Sequence, residues 1–211
     1  MSEDEKHNLS DNEPRKSWDE VFIGMLEVLA KRSCCLKIKT AALIVKNGLV
    51  VSMGYNGTFS KAAECSSYWR NFFDVNILPL STVQEPIDKK GASLPTIISP
   101  DNLVNALDTD EEFSRWLTTS EIRVAHREWS AANEMHAEAN ALRWLNMRDD
   151  VMHGGNSPYI LYTLYSPCDV CAKGIISYGI KRVYYKYKYI RGDNAIARMR
   201  NYNIIVENIN I

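Results

Sequence analysis

Apolar residues recur at helical spacing near the start of the chain, and two apolar runs follow them. One face of the stretch SWDEVFIGMLEVLAKRS carries Trp18, Val21, Phe22, Met25 and Leu29. Ser17 and Glu20 match the capping-box pattern, which predicts that a helix begins there. The runs AALIV and LVVSMGY come next, separated by KNG. Because Asn-Gly favours the tight turn of a two-residue loop, these runs predict an antiparallel β-hairpin.

The middle of the chain, residues 56 to about 120, carries few periodic apolar runs and is interrupted by prolines. One segment within it, DEEFSRWL, predicts a short helix. We interpret approximately residues 66–120 as a large insertion after the second strand. So long a connection is usually functional or part of an interface.

Regular patterns return in the second half of the chain. Helices are predicted over residues 122–129, 134–147 and 168–178, and over DNAIARMRNY. Gly179 follows the third of these as a C-cap residue. Strands are predicted over PYILYTLY, IKRVYYKY and NIIVENI.

The order ββ(insertion)αβαβαβ predicts an α/β fold, a mixed sheet covered by helices and mostly parallel in its second half. The length of 211 residues suits one domain with a full core, over residues 17–211. Residues 1–16 are polar and acidic, and we interpret them as a disordered tail.

Composition narrows the class of protein. Hydrophobic residues make up 45% and charged residues 24% of the chain, and the formal net charge is -1. This overall balance lacks the basic surplus that is usual in proteins that grip nucleic acid. The polar N-terminus is typical neither of a signal peptide nor of a membrane anchor. Five cysteines without a secretion signal argue against a disulfide framework and predict a cytoplasmic protein whose thiols can bind metal.

Two short motifs carry the strongest chemical signal in the sequence. NEMHAEANAL contains His136, and YSPCDVCAKG contains Cys168 and Cys171, three residues apart at the start of a predicted helix. A catalytic zinc site uses three protein ligands and keeps a fourth position open. One imidazole and two thiolates meet this requirement, and the helix N-terminus favours the negative charge of thiolates.

Glu138 lies two residues after the predicted histidine ligand. From there a carboxylate can reach water at the metal without binding the metal, and can pass a proton to a substrate nitrogen. Zinc lowers the pKa of bound water to about 7, so hydroxide is available near neutral pH. The alternative is a structural zinc site with Glu138 as a surface charge, although structural sites usually have four ligands.

Together the two motifs match the pattern H-x-E…P-C-x-x-C of zinc-dependent nucleobase deaminases. Further stretches strengthen this match: SCCLKIKTAALIVKNG, GYNGTFS, HREWSAANEMHAEANAL and SPCDVCAKGIISYGIKRVYY. With them the chain resembles the deoxycytidylate (dCMP) deaminases, especially the T-even phage type. The resemblance covers much of residues 33–65 and 126–190.

The resemblance implies a cytidine deaminase-like αβα sandwich around a five-stranded mixed sheet. It implies hydrolysis of dCMP to dUMP and ammonia, a step of pyrimidine deoxyribonucleotide metabolism that supplies dUMP for thymidylate synthesis. The reaction would take place in the cytoplasm, or in the host cytoplasm for a viral protein. Thr40-Ala41 and Leu164-Tyr165 depart from the usual family residues beside the pocket, which leaves dCTP or a 5-modified dCMP as alternative substrates.

The resemblance also implies substrate contacts. The backbone carbonyl of Ser166 would accept from the exocyclic amine, Asn56 would contact the sugar, and Ala137 and Tyr189 would line the substrate site. Asn56 could instead be a turn residue, since Asn-Gly is common in turns. Lys37 falls where relatives carry a basic residue, and it is either a phosphate ligand or a solvated lysine.

A second zinc site is implied by the phage-type relatives, which bind an additional zinc through cysteine, histidine and acidic ligands. The matching residues are Cys35, Cys65, His126 and Glu134. Such a closed four-ligand site suits a structural role. The alternative is a set of buried thiols and a solvated histidine. Cys34 would match only with a one-residue gap, and we interpret it as a core residue.

Family members are also allosteric hexamers, activated by dCTP and inhibited by dTTP. The resemblance places Gly54, Tyr55 and Gly57 near the regulatory site, where dCTP could bind together with Mg²⁺. Glycines there could let the backbone approach a triphosphate, or could serve only a tight turn.

Two other functions remain open at this point. A polynucleotide-editing deaminase of tRNA or single-stranded DNA would use the same zinc motif, and RVYYKYKYIRGD interleaves aromatic and basic residues as such a binder could. That alternation is equally typical of a half-buried strand. A non-catalytic zinc-stabilised scaffold is the other alternative, but it would have no need of Glu138.

Overall fold

The computed structural model describes residues 14–76, 122–145 and 159–209. Most of the predicted tail and of the predicted insertion, including DEEFSRWL, lies outside these ranges. The helices are α1 (Trp18–Ala30), α2 (Cys65–Asn76), α3 (Ile122–Asn133), α4 (Ala137–Arg143), α5 (Asp169–Ser177) and α6 (Asp193–Asn201). The strands are β1 (Ala41–Lys46), β2 (Leu49–Tyr55), β3 (Gly57–Thr58), β4 (Glu134–Met135), β5 (Tyr159–Tyr165), β6 (Arg182–Tyr187) and β7 (Ile205–Asn208). Over the described ranges, no helix combines the length and apolar character that crossing a bilayer requires.

The main sheet has five strands in the order β2-β1-β5-β6-β7. Strand β1 is antiparallel to both β2 and β5, whereas β5, β6 and β7 are parallel. The hairpin between β1 and β2 produces the antiparallel part, and the crossover helices α5 and α6 produce the parallel part. The predicted mixed sheet, parallel in its second half, is confirmed.

Helices cover both faces of this sheet, so the predicted three-layer α/β fold is also confirmed. On one face, Phe22 and Leu26 of α1 pack with Leu43 and Tyr162. On the other face, α4, α5 and α6 share a second core with β1, β5, β6 and β7. Because both faces are covered, β1 is buried along five consecutive residues and reads as a continuous apolar run.

Local signals at three points of the chain form the predicted structures. The Ser17 side chain accepts from the Glu20 backbone N–H and the Glu20 carboxylate accepts from the Ser17 N–H, which completes the capping box of α1. Asn47 and Gly48 have φ angles of 51° and 78°. Two left-handed residues are what a type I′ hairpin turn requires. Gly179, with φ 66°, follows α5 as predicted.

The predicted helix over residues 134–147 is wrong at its start. Glu134 and Met135 form β4, which pairs with Thr58 and Gly57 of β3. The backbone of His136 is still extended, with φ -71° and ψ 152°, and His136 is the N-cap of α4. Backbone pairing with a distant strand thus overrides the local helical preference. The structure ends α4 at Arg143, and residues 146–147 lie outside the described ranges.

Close packing between β2 and α4 makes Gly54 a sensitive position. A Cβ there would lie 2.5 Å from the Ala137 carbonyl oxygen and 2.5 Å from the Ala141 nitrogen. We expect Gly54→Ala to lower the free energy of unfolding by about 3 kcal/mol, because backbone atoms must move. Gly24 in α1 is the control: its Cβ would meet nothing within 4 Å. Gly24→Ala should stabilise the fold by about 0.5–1 kcal/mol in urea denaturation. Equal effects at both positions would contradict this account.

Candidate metal centre and substrate cavity

One candidate metal centre forms where two helix N-termini meet. His136 is the N-cap of α4 and Cys168 is the N-cap of α5. The Nδ1 atom of His136 lies 3.4 Å from the Cys168 Sγ and 3.3 Å from the Cys171 Sγ. Ligands of a tetrahedral zinc, at about 2.3 Å for sulfur and 2.0–2.1 Å for nitrogen, are separated by about 3.6 Å. The three side chains therefore fit a zinc ion.

The two thiols and the imidazole form one coupled group. The hydrogen bond with Cys171, helped by His136 and by the Cys171 backbone N–H, lowers the pKa of Cys168 to about 3. The contact with Cys168 raises the pKa of His136 to about 9. The same thiol pair raises the pKa of Cys171, because one proton is held between two sulfurs. Such a set releases its protons when a divalent metal replaces them.

Glu138 is the buried carboxyl group beside this centre. It lies in the first turn of α4, is 6% exposed, and lines the same cavity as His136 and Cys168. Burial raises the pKa of Glu138, partly opposed by its own backbone N–H and by His136. A carboxyl group whose pKa moves toward neutrality can both accept and donate a proton near pH 7. The geometry therefore supports a proton relay better than a surface charge.

A second cluster of possible metal ligands also borders the cavity. The ligand atoms of Cys35, Cys65 and Glu134 all lie within 4.8 Å of one another. The Nε2 atom of His126 is 3.4 Å from the Cys65 Sγ, and His126 is 2% exposed. Burial lowers the pKa of His126, which favours the neutral imidazole that binds metal. Three of the four residues named from the resemblance thus form one group of ligand atoms, and the fourth, His126, contacts the group through Cys65.

The two thiols of this second cluster form a coupled pair. The contact with the Cys65 thiol, helped by the backbone N–H groups of Ile38 and Lys37, lowers the pKa of Cys35, and the same contact raises the pKa of Cys65. Glu134 accepts from Ser130 through Oε2, while its buried Oε1 has no partner among the described residues. A buried carboxylate oxygen without a partner is costly unless an ion or water binds it. The donor set therefore fits a metal ion.

Cys34 is a correction to the sequence prediction. The structure leaves Cys34 partly exposed, whereas Ser33 and Cys35 on either side are buried. The Sγ atom of Cys34 is not among the grouped ligand atoms of the cluster. The Sγ atom of Cys35 is one of them.

Four of the five predicted substrate-binding residues line the cavity, and one does not. Asn56, Ser166, Tyr189 and Lys37 line the cavity. The Asn56 Oδ1 accepts from the Thr40 N–H at 2.9 Å, and its Nδ2 donates to the Ile38 carbonyl at 2.8 Å. Asn56 therefore also holds the loop that precedes β1. Ala137 is fully buried and is not part of the cavity lining.

The glycine-rich turn has mainly a packing role in this structure. Gly54 is pressed against α4, and the Tyr55 carbonyl accepts from the Asn140 amide at 2.8 Å. A Cβ at Gly57 would meet only the Tyr55 ring at 3.9 Å. Neither glycine has a positive φ angle. The regulatory role of Gly54, Tyr55 and Gly57 stays a prediction.

Some cavity residues were missed by sequence reasoning. Arg127 and Ser130 of α3 line the cavity, as do Thr40 and Tyr165. Ser130 could have been found, because it follows His126 by one helical turn and shares its face. Arg127 could not, since a single arginine on a polar helix is usually a solvated charge.

Comparison with known proteins identifies the family. Residues 16–187 match the profile of the cytidine and deoxycytidylate deaminase zinc-binding region. The chain belongs to the cytidine and deoxycytidylate deaminase family. This zinc-binding deaminase domain is 30% identical over 162 residues to the deoxycytidylate deaminase of Enterobacteria phage T2, which covers 77% of this chain and 76% of the relative. The corresponding protein of phage T4 is also 30% identical, over 77% of this chain and 74% of the relative.

The deaminase fold is also found in a solved structure. The dCMP deaminase from cyanophage S-TIM5, in complex with dCMP and dUMP, superposes with a TM-score of 0.52 at 21% identity. The superposition covers 93% of this chain and 100% of that one. At this identity the likeness establishes the fold, and it agrees with the five-stranded sheet described above.

Proposed function

We propose that the protein is a zinc-dependent deaminase that hydrolyses dCMP to dUMP and ammonia, and so supplies dUMP for thymidylate synthesis. The observation that carries the proposal is the buried carboxyl group of Glu138 beside the ligand set His136, Cys168 and Cys171. Membership of the deaminase family supports this reaction class. The deoxycytidylate deaminases of phages T2 and T4 support the choice of dCMP.

The residues of the chain supply most of the proposed mechanism. A zinc ion held by His136, Cys168 and Cys171 would act as a Lewis acid that makes water nucleophilic near neutral pH. Hydrolysis joins the oxygen of water to C4 of cytosine and breaks the bond from C4 to the amino nitrogen. One proton must reach N3 and another the departing nitrogen. Glu138 would take the two protons of the water in turn and deliver one to N3 and the other to the departing nitrogen, which its raised pKa allows.

The rest of the cavity orients the substrate. Ser166 follows the carboxyl end of β5 beside Cys168, where its carbonyl can accept from the exocyclic amine. The Asn56 amide nitrogen carries two hydrogens, and one of them is bonded to Ile38, so a second is available for a sugar hydroxyl. Both contacts favour a correctly oriented cytosine nucleotide.

Two exposed cations line the cavity and suit a phosphate. Lys37 lies on the loop after Cys35, and Arg127 lies on α3 next to His126. Arginine can bind phosphate through two N–H groups, and lysine acts as a point charge. We propose that these side chains bind the 5′-phosphate of dCMP.

Removing these charges should weaken nucleotide binding. We expect Lys37→Ala and Arg127→Ala each to raise KM for dCMP about tenfold, because each removes a charge-assisted contact. Their activity on deoxycytidine, which has no phosphate, should change much less. Lys39→Ala is the matched control, since Lys39 is exposed on the same loop but does not line the cavity. Equal losses on dCMP and deoxycytidine would contradict a phosphate contact.

The second cluster has a structural role in this proposal. A zinc ion held by Cys35, Cys65, His126 and Glu134 would tie the loop before β1 to α2, α3 and β4. Four protein ligands leave no open position for substrate, which suits a structural site. A hexameric assembly, regulation by dCTP with Mg²⁺ and by dTTP, and a cytoplasmic location stay predictions.

A side-by-side deamination assay tests the proposed function. Zinc-loaded protein is given dCMP, dCTP, CMP, a 5-modified dCMP and a cytosine-containing oligonucleotide, with ultraviolet detection of the product. We expect dCMP to show the highest kcat/KM. Two of the four basic side chains of RVYYKYKYIRGD are paired with carboxylates, Lys186 with Glu27 and Lys188 with Asp193, which argues against an oligonucleotide. Preference for the oligonucleotide, with steep salt dependence, would instead indicate an editing deaminase.

A further inference from the structure

The hydroxyl group of Ser166 makes a contact that the proposed chemistry does not use. The Ser166 Oγ accepts from the backbone N–H of Tyr189 at 2.9 Å, and Ser166 is 2% exposed. We propose that this hydroxyl is a positioning group that holds the turn after β6, and with it Tyr189, against the substrate cavity. The proposal assigns to Ser166 a second role that is separate from that of its backbone carbonyl.

The turn is bound to Ser166 at more than one point. The Ser166 N–H donates to the Tyr187 carbonyl at 2.8 Å, which continues the pairing of β5 with β6 beyond the end of the strands. The Gly192 N–H donates to the Tyr189 carbonyl at 2.9 Å, which closes the turn. The hydroxyl of Ser166 completes this set by satisfying the Tyr189 N–H. Without this hydroxyl, the Tyr189 backbone N–H would lose its hydrogen-bond acceptor.

Gly192 shows how closely the turn is packed on the hydroxyl. A Cβ at Gly192 would lie 2.5 Å from the Ser166 Oγ and 3.1 Å from the Tyr189 carbonyl oxygen. Gly192 has no positive φ angle, so close packing rather than backbone conformation requires glycine there. Because Ser166 is buried, its hydroxyl has little room to move away from an added methyl group. The Ser166 hydroxyl in this position therefore requires a glycine at position 192.

The consequence for function follows from where Tyr189 lies. Tyr189 and Ser166 line the cavity, and the turn that carries Tyr189 contains none of the residues that would bind metal or move protons. A loosened turn would therefore weaken substrate binding more than the chemical step. This consequence rests on the proposed function, whereas the contact between Ser166 and Gly192 does not.

Kinetics of Ser166→Ala test the functional part. The variant keeps the backbone carbonyl and removes only the hydroxyl. We expect KM for dCMP to rise about tenfold, equivalent to about 1.4 kcal/mol, while kcat changes less than threefold and the zinc content is unchanged. Ser177→Ala is the control, since Ser177 is exposed at the far end of α5, about 12 Å along the helix from Asp169. An unchanged KM in active protein would overturn the positioning role.

A second variant tests the packing without any measurement of activity. Gly192→Ala should lower the melting temperature by about 3 °C or more in the parent protein. In the Ser166→Ala background the same change should cost less than half as much, because the 2.5 Å clash has been removed. Equal shifts in the two backgrounds would overturn the proposed pair.

The two measurements separate the two proposals. If the parent protein leaves every cytosine nucleotide unchanged, the proposed function fails, and the melting temperatures still decide the contact. The positioning role fails, while the deaminase function stands, if dCMP is turned over but two results are negative. These are an unchanged KM in Ser166→Ala and an equal melting-temperature shift for Gly192→Ala in both backgrounds. Should Ser166→Ala fail to fold, Gly192→Ala alone, which keeps the hydroxyl, must raise KM with little change in kcat, and an unaltered KM would overturn the role.

Discussion

Replacing Glu138 with glutamine should lower kcat for dCMP by at least about 10³-fold and leave the bound zinc unchanged. The amide is nearly the same size as the carboxyl group but cannot carry a proton between water and the substrate. Glu138 is not one of the three grouped ligand residues, so metal binding should survive. Folding should also survive, because burial already disfavours the charged carboxylate and raises the pKa of Glu138. The measurements are steady-state kinetics, zinc content by atomic absorption and thermal melting.

A glutamate outside the site provides the control for this experiment. Glu128→Gln makes the same change at an exposed position of α3 and should leave kcat, zinc content and melting temperature as in the parent. Normal turnover in Glu138→Gln would remove the proton relay from the mechanism. Loss of zinc in that variant would show instead that Glu138 acts through the metal site.

Replacing Cys65 with serine should reduce the metal content by about one ion per chain and destabilise the fold. Cys65 is fully buried at the start of α2, beside Cys35 and His126. A metal present at 1,000 times its dissociation constant contributes about 4 kcal/mol, which the variant would lose. For a chain of this size we expect the melting temperature to fall by about 10 °C. Zinc stoichiometry and melting curves measure both effects.

Cys34 offers the matched control, because it lies directly beside a predicted ligand and is partly exposed. Cys34→Ser should keep both the zinc stoichiometry and the melting temperature close to the parent values. An unchanged number of zinc ions per chain in Cys65→Ser would show that this cluster does not bind a second metal ion. A loss of zinc in Cys34→Ser, but not in a Cys35→Ser variant, would exchange the roles of the two cysteines.

Much of the fold was predictable because its signals are local. The capping box at Ser17, the Asn47-Gly48 turn and the C-cap Gly179 each act over a few residues, and each forms as predicted. The mixed sheet follows from the order of these elements, since tight hairpins give antiparallel pairs and helical crossovers give parallel ones. The start of α4 was wrong because its competitor is not local. Strand β3 lies almost eighty residues before β4 in the chain, and no periodic pattern records that pairing.

The metal-ligating and proton-carrying residues of the candidate site could likewise be identified from the sequence. Spacing places Cys168 and Cys171 on one turn and Glu138 two residues from His136, and these distances are set by the chain itself. The contribution of Arg127 was not visible, because its role depends on which wall of the cavity α3 forms. The preference for Cys35 over Cys34 came from the resemblance, and the structure agrees with it, since Cys35 is buried in the ligand group and Cys34 is partly exposed.

By itself the sequence determined the five strands of the main sheet, their order along the chain, and which side chains can hold a metal or carry a proton. Only the tertiary structure decided which of these side chains meet. It brought Cys65 and His126 into contact beside Cys35, and it packed Gly54 against α4. It also placed the Ser166 hydroxyl within hydrogen-bond distance of the Tyr189 N–H. The reason is that propensity and spacing act through covalent geometry over a few residues, whereas these contacts depend on how whole elements pack across the sheet.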